Sequence, residues 1–145
     1  MARDDHVARA SVDIEAGKAQ VWDALVDPDQ ISQYMFGAKV RSDWVEGSEI
    51  TWEGEWQGSD YQDRGEIIDI DPGNTLRYTH YSPLSGQPDA PENYHNVAVD
   101  LTGDDSVTTV TLTQDNNDTA EAAEHAEKNW QTMLDGLKYV VEKAP

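Results

Sequence analysis

The 145-residue sequence has no cysteine, which excludes disulfides, thiol catalysis and thiolate zinc sites. It has one phenylalanine and no apolar run long enough to span a membrane. The first residues, MARDDHVARA, lack the apolar stretch of a secretory leader, so the expected location is the cytoplasm. Basic residues are scarce. Ten Lys and Arg against 29 Asp and Glu give a net charge of −19, whose field repels nucleic acid and anionic membranes and removes both from the expected partners. The acidic residues are spread along the chain rather than gathered, the pattern of a solvated acidic surface and not of a dedicated docking face. Self-repulsion at this charge predicts a melting temperature that rises as a screening salt is added. A flat response up to about 1 M, where the Debye length is about 3 Å, contradicts that expectation. Phosphate-cradling glycine loops, nucleophile elbows and HExxH are also missing, and neither a cofactor nor a metal is expected.

What is present is a change of period along one chain, read as a single domain over residues 1–145. VARASVDIE alternates as a strand, and Val21, Trp22 and Leu25 then fall at helical spacing. Pro28 ends that helix, and DPDQISQYMFG supports a second short one, stopped by Gly37. Six strand candidates follow: AKVRSDW, EITWEGEW, QDRGEIIDID, NTLRYTHY, NYHNVAVDL and VTTVTLTQ. Turn residues separate them, except between Tyr81 and His95, where YSPLSGQPDAPENYH forms a long connector with three prolines. From about Thr119 to Lys143 an apolar stripe runs through Ala123, Ala126, Trp130, Met133, Leu134, Leu137, Val140 and Val141, with Asp118 and Glu121 placed as a capping box. The order is α+β: an antiparallel sheet with one dry face, covered by the last helix.

The turns also suggest a register. A Pro72-Gly73-Asn74 loop puts Ile70 opposite Leu76, Ile68 opposite Tyr78 and Glu66 opposite His80. Mirror pairing across the connector sets Leu76 opposite Val99, Tyr78 opposite Val97 and His80 opposite His95. Across TGDDS, Val99 matches Val110 and Val97 matches Leu112, which brings Gln114 beside His95. Trp52 on the neighbouring strand reaches Glu66. The expectation is a transverse polar row, Trp52–Glu66–His80–His95–Gln114, on the covered face. Buried polar groups need partners, so the row implies an internal network or a wet cavity, with the connector folded over it as a lid. Two plainer readings stay open. A histidine at a strand end also serves as a satisfied, partly exposed side chain, and a one-residue slip turns any of these groups outward. Glu66, His80 and His95 are the candidate acid/base groups, because histidine titrates near neutrality. His6 and His125 read as surface residues.

Three phrases in order, VDIEAGKAQVWDALVDPDQISQYM, GEIIDIDPGNTLRYTHYSPLSG and NWQTMLDGLKYVVE, resemble the activator-of-Hsp90-ATPase-homologue-1-like family of the START/Bet v 1 (SRPBCC) superfamily. The first is similar to that family's strand and Val-Trp helix, and the second to its Gly-x-Val-x-x-Ile-x-Pro turn. The third is similar to its Trp-x-x-x-Leu-x-x-Leu-Lys pattern, carried here by Trp130, Leu134, Leu137 and Lys138. The resemblance implies a helix-grip fold, about seven strands curved around the C-terminal helix with an elongated cavity between them. It further implies a hydrophobic or aromatic small-molecule ligand. The candidate lining is Tyr34, Trp52, Trp56, Glu66, Tyr78, His80, His95, Gln114, Trp130 and Leu134. A cyclase- or dehydratase-type enzyme and an Hsp90 co-chaperone-like interaction module are the alternatives, with the chain a monomer or a homodimer.

Overall fold

The computed structural model describes residues 6–35, 37–56, 58–82, 88–117 and 119–143. The elements follow the expected order. They are β1 (His6–Ile14), α1 (Lys18–Val26), α2 (Pro28–Tyr34), β2 (Lys39–Ser42), β3 (Glu49–Trp56), β4 (Ser59–Asp71), β5 (Thr75–His80), β6 (His95–Gly103), β7 (Thr108–Asn117) and α3 (Ala120–Lys143). The seven strands form one antiparallel sheet in the order β1-β7-β6-β5-β4-β3-β2. This is the expected helix-grip α+β fold.

Local chemistry explains the boundaries. Asp27 separates the two short helices: its carboxylate accepts the Asp29 amide at 3.0 Å, and Pro28 enters at the first helical position, where its missing N–H costs nothing. The cap seen on α3 is Thr119, whose hydroxyl accepts the Ala122 amide at 3.0 Å. Asp118, expected in that role, lies outside the described residues. One face of α3 buries Ala123, and its Met133, Leu134, Leu137 and Val141 join Ile14, Val21, Val110 and Leu112 of the sheet and α1 in one core cluster. Gly136 permits a close crossing, since a Cβ there would stand 3.1 Å from the Tyr34 Cβ.

Two registers differ from the expected ones. Asp71↔Thr75 and Ile70↔Leu76 hold, but a bulge between Ile67 and Asp69 makes Ile67, not Ile68, the partner of Tyr78. Ile67 is fully buried while Ile68 is 45% exposed. The bulge is supported from the β3 side, where Ile67 exchanges both backbone bonds with the preceding turn, donating to Ser48 O and accepting from Gly47 N at 2.8 Å each. Beyond the bulge Glu66 lies on the outer face, and Gly65 and Asp63 take the inner one. The β6–β7 pairing is shifted by two residues, to Leu101↔Val110, Val99↔Leu112 and Val97↔Gln114. Asp104 causes the shift: its side chain accepts from the Ser106 and Val107 amides at 2.7 and 3.0 Å and closes a tight turn at Gly103. A two-residue shift keeps every side chain on its face.

The described part of the connector does not roof the sheet. Asp89 pairs with Arg64 Nη1 at 2.9 Å and accepts the Tyr94 hydroxyl at 2.5 Å, while Tyr94 stacks on Tyr81 with ring centres 5.3 Å apart. Arg64 is on the outer face, so the connector is clasped there. Residues 83–87, which belong to the expected lid, lie outside the described residues. The Tyr94 hydrogen bond, and next the Arg64 guanidinium, hold the Asp89 carboxyl below its ordinary range, and burial together with Asp89 pushes the Tyr94 phenol up to about 12. A depressed carboxyl contributes stability above its ordinary pKa and loses it as pH falls through the folded value. The clasp is therefore expected to hold at neutral pH and open below about pH 4. The hydrogen-exchange protection factors at Asn93 to His95, taken against the intrinsic exchange rate at each pH, should fall in acid, and in Tyr94→Phe already at pH 7, with global melting little changed. Unchanged exchange in the variant contradicts the clasp.

Candidate functional site

The N-terminal half of α3 stands off the sheet because its inward residues there are small. Ala122 and Ala126, one turn apart, replace the leucines that fill the other half. The space left is a cavity of about 330 Å³. Trp130 and Met133 close it toward the core, Met35 and Ala38 form one side, and Trp52, Tyr61, Asp63, Tyr78, His80 and Gln114 form the sheet floor. His125 and Asn129 edge it from the helix. Deeper in the core is a void of about 30 Å³ that shares Met35, Trp52, Tyr78 and Met133 with the outer cavity. The shared methionines are flexible gap-fillers, so the wall between the two spaces is soft.

Polar groups gather at the floor. His80 sits opposite His95 as expected, ring centres 6.4 Å apart. The acidic partner of His80 is Asp63, whose Oδ2 lies 2.9 Å from His80 Nε2. The bulge shifts the inner face of β4 by one residue, so Gly65 stands where Glu66 was expected, and Asp63, the next inward residue, supplies the carboxylate. Trp52, the register partner of Asp63 on β3, packs its ring 5.0 Å from that of His80 and 5.3 Å from that of Tyr78. Asp63 Oδ1 is buried and has no hydrogen-bond partner. On the far side of the row, Gln114 accepts the Trp130 indole N–H at 2.5 Å and donates to Asn117 Oδ1 at 3.1 Å. His95 Nδ1 lies 2.8 Å from the Asp115 carbonyl and 3.5 Å from Gln114 Nε2.

The structure thus brings Trp52, Tyr78, His80, Gln114 and Trp130 to one cavity. His95 stands behind His80 and is tied to the β7 backbone. Tyr34 is buried, donates its hydroxyl to Ala24 O at 2.9 Å, and with Leu134 lines the inner void instead. Glu66 points away. The Trp56 side chain lies outside the described residues. Asp63, Tyr61, Ala122 and Ala126 were not anticipated. Tyr61 had a signal: a Cβ on its register partner Gly54 would come within 2.7 Å of the Tyr61 hydroxyl, so the glycine makes room for that ring. Burial, and next the charge of Asp63, raise the Tyr61 pKa, keeping it a neutral phenol. Burial alone does the same to Tyr78. Among the described residues no group of three or more His, Asp or Glu is placed to hold a metal ion.

The chain resembles solved structures over nearly all its length. The protein ChR145 from Cytophaga hutchinsonii, a solution structure, is 49% identical, with a TM-score of 0.82 over 94% of this chain and 93% of that one. MLL2253 from Mesorhizobium loti shares 18% identity and a TM-score of 0.77 over 96% and 98%. Aha1 from Colwellia psychrerythraea, solved in solution as a dimer, shares 19% identity and a TM-score of 0.72 over 94% and 96%. No curated protein matches the chain. The family model for the activator of Hsp90 ATPase homolog 1-like proteins matches residues 15–142, and the chain belongs to that family.

Proposed function

We propose that this domain binds a small molecule in the cavity between the sheet and the N-terminal half of α3. The observation that carries the reading is the pairing of a cavity of about 330 Å³, walled by indole, phenol and methionine side chains, with a buried acceptor, Asp63 Oδ1, that is unpartnered among the described residues. Apolar walls with a few convergent polar groups are the usual make-up of a ligand site, and this volume falls in the usual range. Among the described residues, the large exposed apolar side chains are Val7, Val45, Ile68, Val107 and Tyr139. They are scattered over different elements, which favours a ligand over a protein-docking face.

A second reading has its own support. His80 lines the cavity with Nε2 2.9 Å from Asp63 Oδ2, and a carboxylate orienting an imidazole is the pairing a general base uses. Binding is the simpler reading and the one that any catalysis here requires.

The test is to fill the cavity. Ala126→Phe is expected to abolish binding of a neutral probe, 1-naphthylmethanol, measured by calorimetry, without lowering the melting temperature. Undiminished binding in a folded Ala126→Phe protein contradicts the reading.

A further inference from the structure

Among the described residues, one carboxylate, Asp63, lines the cavity. The Asp63 side chain is 14% exposed, and its Oδ2 is taken by His80 Nε2. Nothing among the described residues donates to the other oxygen, the buried Oδ1. No lysine or arginine among the described residues lines the cavity. Arg64, the adjacent residue on β4, projects to the opposite face, where it pairs with Asp89 at 2.9 Å and Glu49 at 3.8 Å. An unmatched buried acceptor is costly, and more so when charged, so a ligand gains most here by bringing a donor. The second torsion of aspartate is broad, so a small rotation offers Oδ1 to the cavity. Trp52 is the register partner of Asp63 and packs on Tyr78, and the faces of such rings attract cations. The net charge of −19 adds a field that concentrates cations and depletes anions near any opening of the surface.

We infer that the cavity selects a protonated amine carried on an aromatic or apolar body, with the ammonium on Asp63, and rejects carboxylates such as fatty acids. This rests on the cavity being a ligand site, and it names the chemical class of the ligand.

Three probes of nearly equal shape separate the two claims: 1-naphthylmethylamine, 1-naphthylmethanol and 1-naphthoate, titrated by calorimetry at pH 7 into the whole protein and into Asp63→Asn and Ala126→Phe. The amine is expected to bind tightest and the naphthoate weakest. A charge-assisted hydrogen bond corresponds to about tenfold or more in affinity, so Asp63→Asn should weaken the amine by at least that factor and leave the alcohol nearly unchanged. Equal affinities of amine and naphthoate in the parent protein overturn the inference, and that comparison needs no variant. An amine whose affinity ignores Asp63→Asn in a folded protein overturns it as well. In both cases binding that is still lost in Ala126→Phe leaves the cavity reading standing. Failure of all three probes to bind, or binding that survives the filled cavity, overturns both claims.

Discussion

Leu134→Asp is expected to abolish cooperative folding. Leu134 is fully buried at the centre of α3, packed against the core of the sheet. A carboxylate there has no partner within reach, and burying an unpaired charge costs several kcal/mol, while the lost leucine contacts add about 2–5 kcal/mol. The total is comparable with the whole stability of a domain this size, about 5–15 kcal/mol. Tyr139→Asp supplies the control: it lies on the same helix, 65% exposed, and should melt close to the parent. Circular dichroism melts of both proteins check this. A Leu134→Asp protein that melts like the parent removes α3 from the core.

Gly65→Ala should be nearly as damaging, through the sheet rather than the helix. A Cβ at Gly65 would lie 1.7 Å from the Thr79 carbonyl oxygen, a backbone atom that cannot rotate away. Either β4 and β5 separate or the bulge is lost. Overpacking against side chains costs about 1–3 kcal/mol, and a backbone clash stands at or beyond the top of that range. The consequence for the site is specific. Gly65 lies between Ile67 and Asp63 on the inner face of β4, and releasing the bulge would turn Asp63 away from His80. The expected result is a large drop in melting temperature together with loss of amine binding in whatever protein remains folded. A stable Gly65→Ala protein with parental binding contradicts the bulged register.

Where the sequence misled on β4, a bulge was the cause. Ile67 and Ile68 are adjacent apolar residues on a strand with one dry face, so only one can point inward. The turn at Pro72 propagated by strict alternation picks Ile68 and, with it, Glu66. Nothing in the alternation marks an extra residue, because the support comes from Gly47 and Ser48, some twenty residues earlier in the chain. Pairings on either side of the bulge were legible for ordinary reasons. Ile70↔Leu76 follows from the short turn, and Tyr78↔Val97 and His80↔His95 follow from the apolar matches alone. The two-residue error in β6–β7 did no harm to the site, since Gln114 stayed on the inner face. Loop placement was the least legible. The connector's prolines suggested a structured lid, but what directs its described residues to the outer face is the three-way contact of Arg64, Asp89 and Tyr94, which no local pattern announces. The cavity was legible as one reading of the polar row and as an implication of family. Its physical origin, Ala122 and Ala126 in place of larger residues, reads in sequence as an ordinary helix face.

Met35 and Met133 stand on two sides of the cavity and provide the most direct probe of it. With methyl-labelled methionine, saturating the protein with 1-naphthylmethylamine should move both methyl resonances through the ring current of the bound naphthalene. The same addition to Ala126→Phe should leave them in place. Binding detected by calorimetry with both methyl resonances unmoved in the parent protein would put the ligand elsewhere and contradict the cavity between sheet and helix as the binding site.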